Sequence, residues 1–190
     1  MLKHRFAQIC YNVDELLDGC NKLSTFMARL RKQSRSRIEF EADSYFGDGF
    51  EVFVESLISQ LGNSKSIMIR DYEPVQEADL GVDGYGYGPN GEIHTIQAKA
   101  RSNTEGVLTA NKDHISNFVA HSHSKFGGDS KVKYMTIFTT ADDLHHVTRE
   151  MYNDEVRVLG NMQLRKLVDK NDMFWATFRE QMQNSCVQDQ

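Results

Sequence analysis

Cysteine, proline and tryptophan are scarce in this 190-residue chain, with three, two and one copies respectively. Cys10, Cys20 and Cys186 are widely spaced and form no Cys-x-x-Cys motif, which predicts reduced thiols in a cytoplasmic protein, or in host-cell cytoplasm if the chain is phage-encoded. Pro74 and Pro89 alone cannot make a proline-rich linker, and there is no internal repeat or low-complexity tract. No apolar run approaches the roughly 20 residues that cross a bilayer. The start, Met1-Leu2-Lys3-His4-Arg5, lacks the apolar stretch of a secretory signal, so neither membrane nor export is expected. Positive charge is in deficit too: the formal net charge is −5, unfavourable for general neutralisation of phosphates.

What is present suits one domain with a sizeable core: 39% of residues are apolar and 10% aromatic. Gly88-Pro89-Asn90-Gly91 signals a tight turn in which Asn-Gly supplies positive φ values, so residues 82–87 and 92–99 are expected to pair as antiparallel strands. Alternation along the second strand puts Gln97 and Lys99 on one face and His94, Ile96 and Ala98 on the other. Upstream, Gly49-Phe50-Glu51 opens an apolar-periodic helix through Phe53, Val54, Leu57, Ile58 and Leu61, ended by Gly62. Further helices are expected within residues 12–33, at 109–121 as a crossover between parallel strands, from Ala141-Asp142-Asp143, and at 163–168. Strands are expected at 132–139 and 156–159. A last helix follows Asn171, with a packing stripe of Phe174, Trp175, Phe178 and Met182; Trp175 is also a candidate stacking platform for nucleic acid.

Asp83, Gln97, Lys99 and Glu51 are residue types suited to phosphodiester hydrolysis. Asp83 and Glu51 can hold a hard divalent cation such as Mg²⁺, with the Gln97 amide oxygen and the Ala98 carbonyl as neutral ligands. Such a cation offsets charge on phosphate and activates water, which the Lys99 ammonium would orient. With Gln97 in place of an acid, two carboxylates suit one tightly held ion and leave any second ion weak. Glu55, one turn after Glu51 on the same helix face, is a rival ligand. Taken alone, the pattern also describes a strand-ending aspartate and a solvated edge lysine. Zinc is not expected, because His121/His123 and His145/His146 lack the i, i+4 spacing of a helical motif.

The ordered set formed by Gly49-Phe50-Glu51, Asp79-Leu80-Gly81-Val82-Asp83-Gly84, Ile96-Gln97-Ala98-Lys99, Tyr134 to Thr140 and Val158 to Leu164 resembles the Mrr-like branch of the PD-(D/E)xK restriction-endonuclease superfamily, over about residues 46–169. The resemblance implies an α/β, restriction-endonuclease-like fold: a central mixed β-sheet flanked by helices, here with an N-terminal helical extension. Residues 1–45 would be that extension, carrying a basic run, and 46–190 the nuclease domain with its C-terminal packing helix. It implies a Mg²⁺-dependent DNA endonuclease, Mn²⁺ substituting, with Asp83, Gln97, Lys99 and Glu51 as the site. Asp79 matches the acidic position of a glycine-rich loop, where it would hold a water or a second ion. Two departures stand out. Ala78-Asp79-Leu80 lacks one glycine of that loop, and Ala100 occupies a position that is often basic, for which Arg101 would compensate.

Specificity is expected to be low or structure-based, since about 45 residues before the resemblance leave little room for a recognition module; an accessory protein could supply targeting. Alternatives are a junction or flap nuclease, an RNA substrate, or a catalytically silent nucleic-acid-binding protein. A homodimer is expected because a double-strand cut needs two sites. For phosphate contact the candidates are Arg31, Lys32, Arg35 and Arg37 in the basic run that Arg29 begins, with Arg101 and Lys112 beside the site.

Overall fold

The computed structural model describes residues 1–8, 12–36, 39–75, 81–101, 107–108, 112–126, 132–152 and 154–186, with the backbone alone for residues 8, 39–43, 107–108, 112–114 and 133. Three N-terminal helices, α1 (Arg5–Gln8), α2 (Val13–Leu17) and α3 (Leu23–Arg35), lead into the long helix α4 (Glu39–Leu61). The strands β1 (Arg70–Pro74), β2 (Gly84–Tyr87) and β3 (Ile93–Lys99) follow as an antiparallel meander. After β4 (Val107–Leu108), helix α5 (Lys112–Lys125) crosses to β5 (Val132–Thr139), which lies parallel to β3. Then come β6 (Asp143–Leu144), α6 (His146–Tyr152), β7 (Val156–Leu159), α7 (Asn161–Val168) and α8 (Asp172–Ser185).

The main sheet has the order β1-β2-β3-β5-β7, antiparallel on one side of β3 and parallel on the other, and β4 and β6 form a small second sheet. This is the mixed, helix-flanked α/β sheet expected from the sequence. Alternation along the strands supplies its two apolar faces. Ile96, Ala98, Phe138 and Leu159 face one cluster with α4, the N-terminal helices and α8, while Met135 and Ile137 face a second with Ile115 and Phe118 of α5. Phe53 of α4 is the hub of the larger cluster, 5.6 Å from Phe26, 5.8 Å from Phe174 and 6.1 Å from Trp175 between ring centroids.

Several expectations are corrected. The helix bearing Glu51 starts at Glu39, ten residues before Gly49. Gly49 is a close-approach residue: a Cβ there would stand 2.5 Å from Leu30 Cδ1 of α3, so glycine marks a helix crossing and not a helix start. In the hairpin loop only Gly91 takes positive φ (82°); Asn90 does not. No helix begins at Ala141. Asp143 and Leu144 pair with β4 instead, and the helix starts at His146. Trp175 is no stacking platform: it is 2% exposed, and its indole N–H donates to Val168 O (2.8 Å). Cys20 is a free, buried thiol, whereas Cys186 is disulfide-bonded, against the expectation of three reduced thiols. No helix among the described residues is long and apolar enough to cross a membrane.

Candidate active site

The strand side of the site forms where the chain enters β2. Asp83 N–H donates to Ile96 O (2.9 Å), extending the pairing one step beyond β2 and laying the Asp83 side chain across β3. There Ala98 N–H donates to Asp83 Oδ2 (2.6 Å). A strand residue directs its N–H and C=O to the same side, so the Ala98 carbonyl also points toward Asp83. The adjacent Gln97 is 1% exposed. Its Nε2 donates to Gly81 O (2.8 Å), and its Oε1 is buried with no hydrogen-bond partner. Lys99 is half-buried at the end of β3, its carbonyl fixed by Thr139 Oγ1 (2.8 Å) and Thr140 N–H (3.3 Å).

The helix side is organised by the N-terminal arm. Lys3 and His4 direct their backbone N–H groups at Glu55 Oε1 (2.5 Å) and Oε2 (3.1 Å). Glu55, 5% exposed, thus has both oxygens engaged in docking the arm; burial raises its pKa and the two N–H groups oppose the rise. Glu51 sits one turn earlier with His4 and Asp48, their ligand atoms within 4.8 Å of one another. Burial first, then the charge of Glu51, raises the pKa of Asp48.

Distance alone would let these three residues hold a cation, but the tautomer of His4 opposes its use as a ligand. Phe6 N–H donates to His4 Nδ1 (3.1 Å), so the ring proton sits on Nε2, which faces Glu51 Oε2 at 3.0 Å. His4 is therefore a donor that orients Glu51.

Tyr72 links the two sides. Its hydroxyl donates to Asp83 O (3.4 Å), and burial, and after it the charges of Asp83, Glu51 and Glu55, push its phenol well above the ordinary value. Tyr72 lies against Gly84, where a Cβ would come within 2.4 Å of the ring.

The basic residues divide. Arg31 lies over the Phe46 ring (5.3 Å) and donates to Arg101 O (3.4 Å), which brings the end of α3 to the exit of β3 beside Lys99. Lys32 pairs with Glu15 (3.8 Å), and Arg35 is exposed. Arg29 is structural, donating to Leu16 O (3.2 Å) and Asp18 O (2.7 Å). Asp79, Arg37 and the Lys112 side chain lie outside the described residues.

Sequence reasoning missed His4, Asp48 and Tyr72. Asp48 carried a usable signal, since it precedes Glu51 by three residues and so shares its helix face. His4 and Tyr72 carried none, because only the packing of the arm and of β1 brings them to the site.

No family model and no curated protein matches the chain. Among solved structures it is similar to the ATP-dependent Type ISP restriction-modification enzyme LlaBIII bound to DNA, at 22% identity and TM-score 0.47, covering 73% of this chain and 8% of that one. It is similar to MspJI restriction endonuclease in complex with a 27-mer oligonucleotide, at 16% identity and TM-score 0.44, covering 100% and 41%. Protein VC1899 from Vibrio cholerae is similar at 15% identity and TM-score 0.46, covering 97% and 55%. The chain thus spans less than two thirds of each of these proteins.

Proposed function

We propose that this chain is a divalent-cation-dependent endonuclease that hydrolyses DNA phosphodiesters, as its Mrr-like resemblance implies. The observation that carries the reading is the Gln97 amide oxygen, buried without a partner on the residue that precedes Ala98, whose N–H holds the Asp83 carboxylate. A buried acceptor left unsatisfied costs about 1–3 kcal/mol. Hard oxygen donors with one orphan acceptor fit Mg²⁺, with Mn²⁺ as a substitute. Asp83, Gln97 and Ala98 would hold the ion from the strand side and Glu51 from the helix side.

When bound, the cation would offset phosphate charge and lower the pKa of a coordinated water. The chain's own groups supply the rest. Ala98 N–H fixes the Asp83 carboxylate, His4 fixes that of Glu51, and Gly81 O fixes the Gln97 amide so that its oxygen stays presented. Lys99 brings an ammonium to the strand end, where it would stabilise the developing oxyanion. Arg31, Lys32, Arg35 and Arg101 would contact flanking phosphates. Action as a homodimer, and targeting by an accessory protein, belong to the same proposal.

The test is cleavage of supercoiled plasmid, linear duplex, single strand, four-way junction and RNA with Mg²⁺, Mn²⁺ or EDTA. Asp83→Asn, which keeps an acceptor for Ala98 N–H, and Lys99→Ala are run beside the unmodified protein. Cation-dependent cutting that falls by at least about 100-fold in both variants supports the site, and the panel identifies the substrate. Undiminished cutting by either variant, or DNA binding without any cutting, overturns it.

A further inference from the structure

At the opposite end of β3 from Lys99 lies a cleft of about 290 Å³ lined by Met68, Pro89, Asn90, Glu92, His94, Tyr134 and Arg157. His94 and Lys99 are five residues apart, roughly 16 Å along the strand, so the cleft is separate from the site above. The sheet assembles its floor: His94 is in register with Tyr134, and Thr136, the next residue on that face of β5, is in register with Arg157. Three features of this floor call for a ligand.

His94 is 3% exposed, lines the cleft, and has no hydrogen-bond partner on either ring nitrogen. The hydroxyl of Thr136 beside it is likewise buried and unpartnered. Arg157, from the parallel edge strand, donates to Ile67 O (2.6 Å) and forms no ion pair among the described residues. Its burial lowers its pKa. Tyr134, 42% exposed, presents a ring whose centroid lies 4.7 Å from that of His94, and Met68 and Pro89 add apolar wall. At the rim, Asn90 brings a side-chain amide, and Glu92 a carboxylate whose Oε2 accepts from Asn90 N–H (2.9 Å).

We propose that this cleft binds a nucleoside monophosphate, with the phosphate on Arg157, a further hydrogen bond from His94, and the base against Tyr134. A buried arginine that forms no ion pair among the described residues can take an anion, and an exposed aromatic wall with mixed donors and acceptors suits a planar, polar-edged body. One ligand supplies both. The volume is at the small end of the roughly 300–1,000 Å³ of small-molecule sites, which suits a mononucleotide better than a dinucleotide. This inference does not depend on the nuclease reading.

Calorimetric titration of the full chain in EDTA with 5′-dAMP, deoxyadenosine and inorganic phosphate tests it, beside Arg157→Gln, Tyr134→Ala and Asp83→Asn. Saturable dAMP binding is expected, at least about tenfold weaker in Arg157→Gln and several-fold weaker in Tyr134→Ala. Deoxyadenosine and inorganic phosphate should each bind at least about tenfold more weakly than dAMP, and Asp83→Asn should bind it normally. Tyr134 is exposed enough for its variant to fold even if loss of the Arg157 bond to Ile67 disturbs the neighbouring loop. A 5′-phosphorylated oligonucleotide that displaces dAMP would identify a nucleic-acid end as the source of the nucleotide, and failure to displace it a free nucleotide; both uphold the site. Equal affinity in both cleft variants, or no binding up to about 10 mM, overturns the proposal.

Discussion

His4 shows how much one imidazole can decide. Because Phe6 N–H occupies Nδ1, Nε2 must carry the proton, and the residue that distance alone would count as a ligand becomes a hydrogen-bond donor. His4→Ala is expected to lower cleavage by roughly 10- to 100-fold. His4→Gln, whose amide can still donate to Glu51, should restore most of the loss with both Mg²⁺ and Mn²⁺. If His4→Gln is as poor as His4→Ala, and poorer in Mn²⁺ than in Mg²⁺, His4 is a ligand after all.

A second residue-scale expectation concerns His94, which burial, and then the charge of Arg157, bring from 6.5 down to about 4, with Glu92 opposing. The unfolded chain takes up a proton near pH 6.5 that the folded chain refuses until about pH 4. The stability this neutral ring permits is therefore complete above pH 6.5 and is lost as pH falls toward 4, by up to about 3 kcal/mol. As pH falls across that range, the urea midpoint of the unmodified chain should drop relative to that of His94→Phe, whose ring does not titrate.

At the scale of elements, stability concentrates where α3, α4 and α8 meet around Phe53, which is fully buried and in ring contact with five other aromatic residues. Phe53→Ala should destabilise by about 3–5 kcal/mol, measured by denaturant unfolding, since a cavity among rings does not collapse readily. Gly84 is the corresponding point on the strand side. Gly84→Ala would drive a methyl into the Tyr72 ring, and Tyr72 is buried, so a loss of about 1–3 kcal/mol is expected together with reduced cleavage. A variant as stable and active as the original would show that Tyr72 can move without consequence.

For the whole molecule, a net charge of −5 means that nucleic acid must be met by a local patch. Arg31 and Arg101 meet at the exit of β3, and Lys32 and Arg35 lie on the same last turns of α3. With about three phosphates neutralised, DNA affinity should drop roughly 40-fold between about 50 and 200 mM salt. Fluorescence anisotropy with a labelled duplex would measure it; an affinity indifferent to salt would remove the patch from the interface.

The sequence by itself determined what local rules govern. Strand alternation and turn chemistry dictated the β2–β3 hairpin and the shared face of Gln97 and Lys99, and apolar periodicity dictated the helices that cover the sheet, because these depend on neighbours a few residues apart. Where local signals competed, the sequence misled: Gly49 resembled a helix start and is a helix crossing. Tertiary structure alone decided that Glu55 is consumed in docking the N-terminal arm, that His4 orients Glu51, and that Arg157 and His94 share a cleft. Those outcomes turn on pairings across 47 to 63 residues of chain, set by packing and by the need to satisfy buried polar groups, and no spacing in the sequence encodes them.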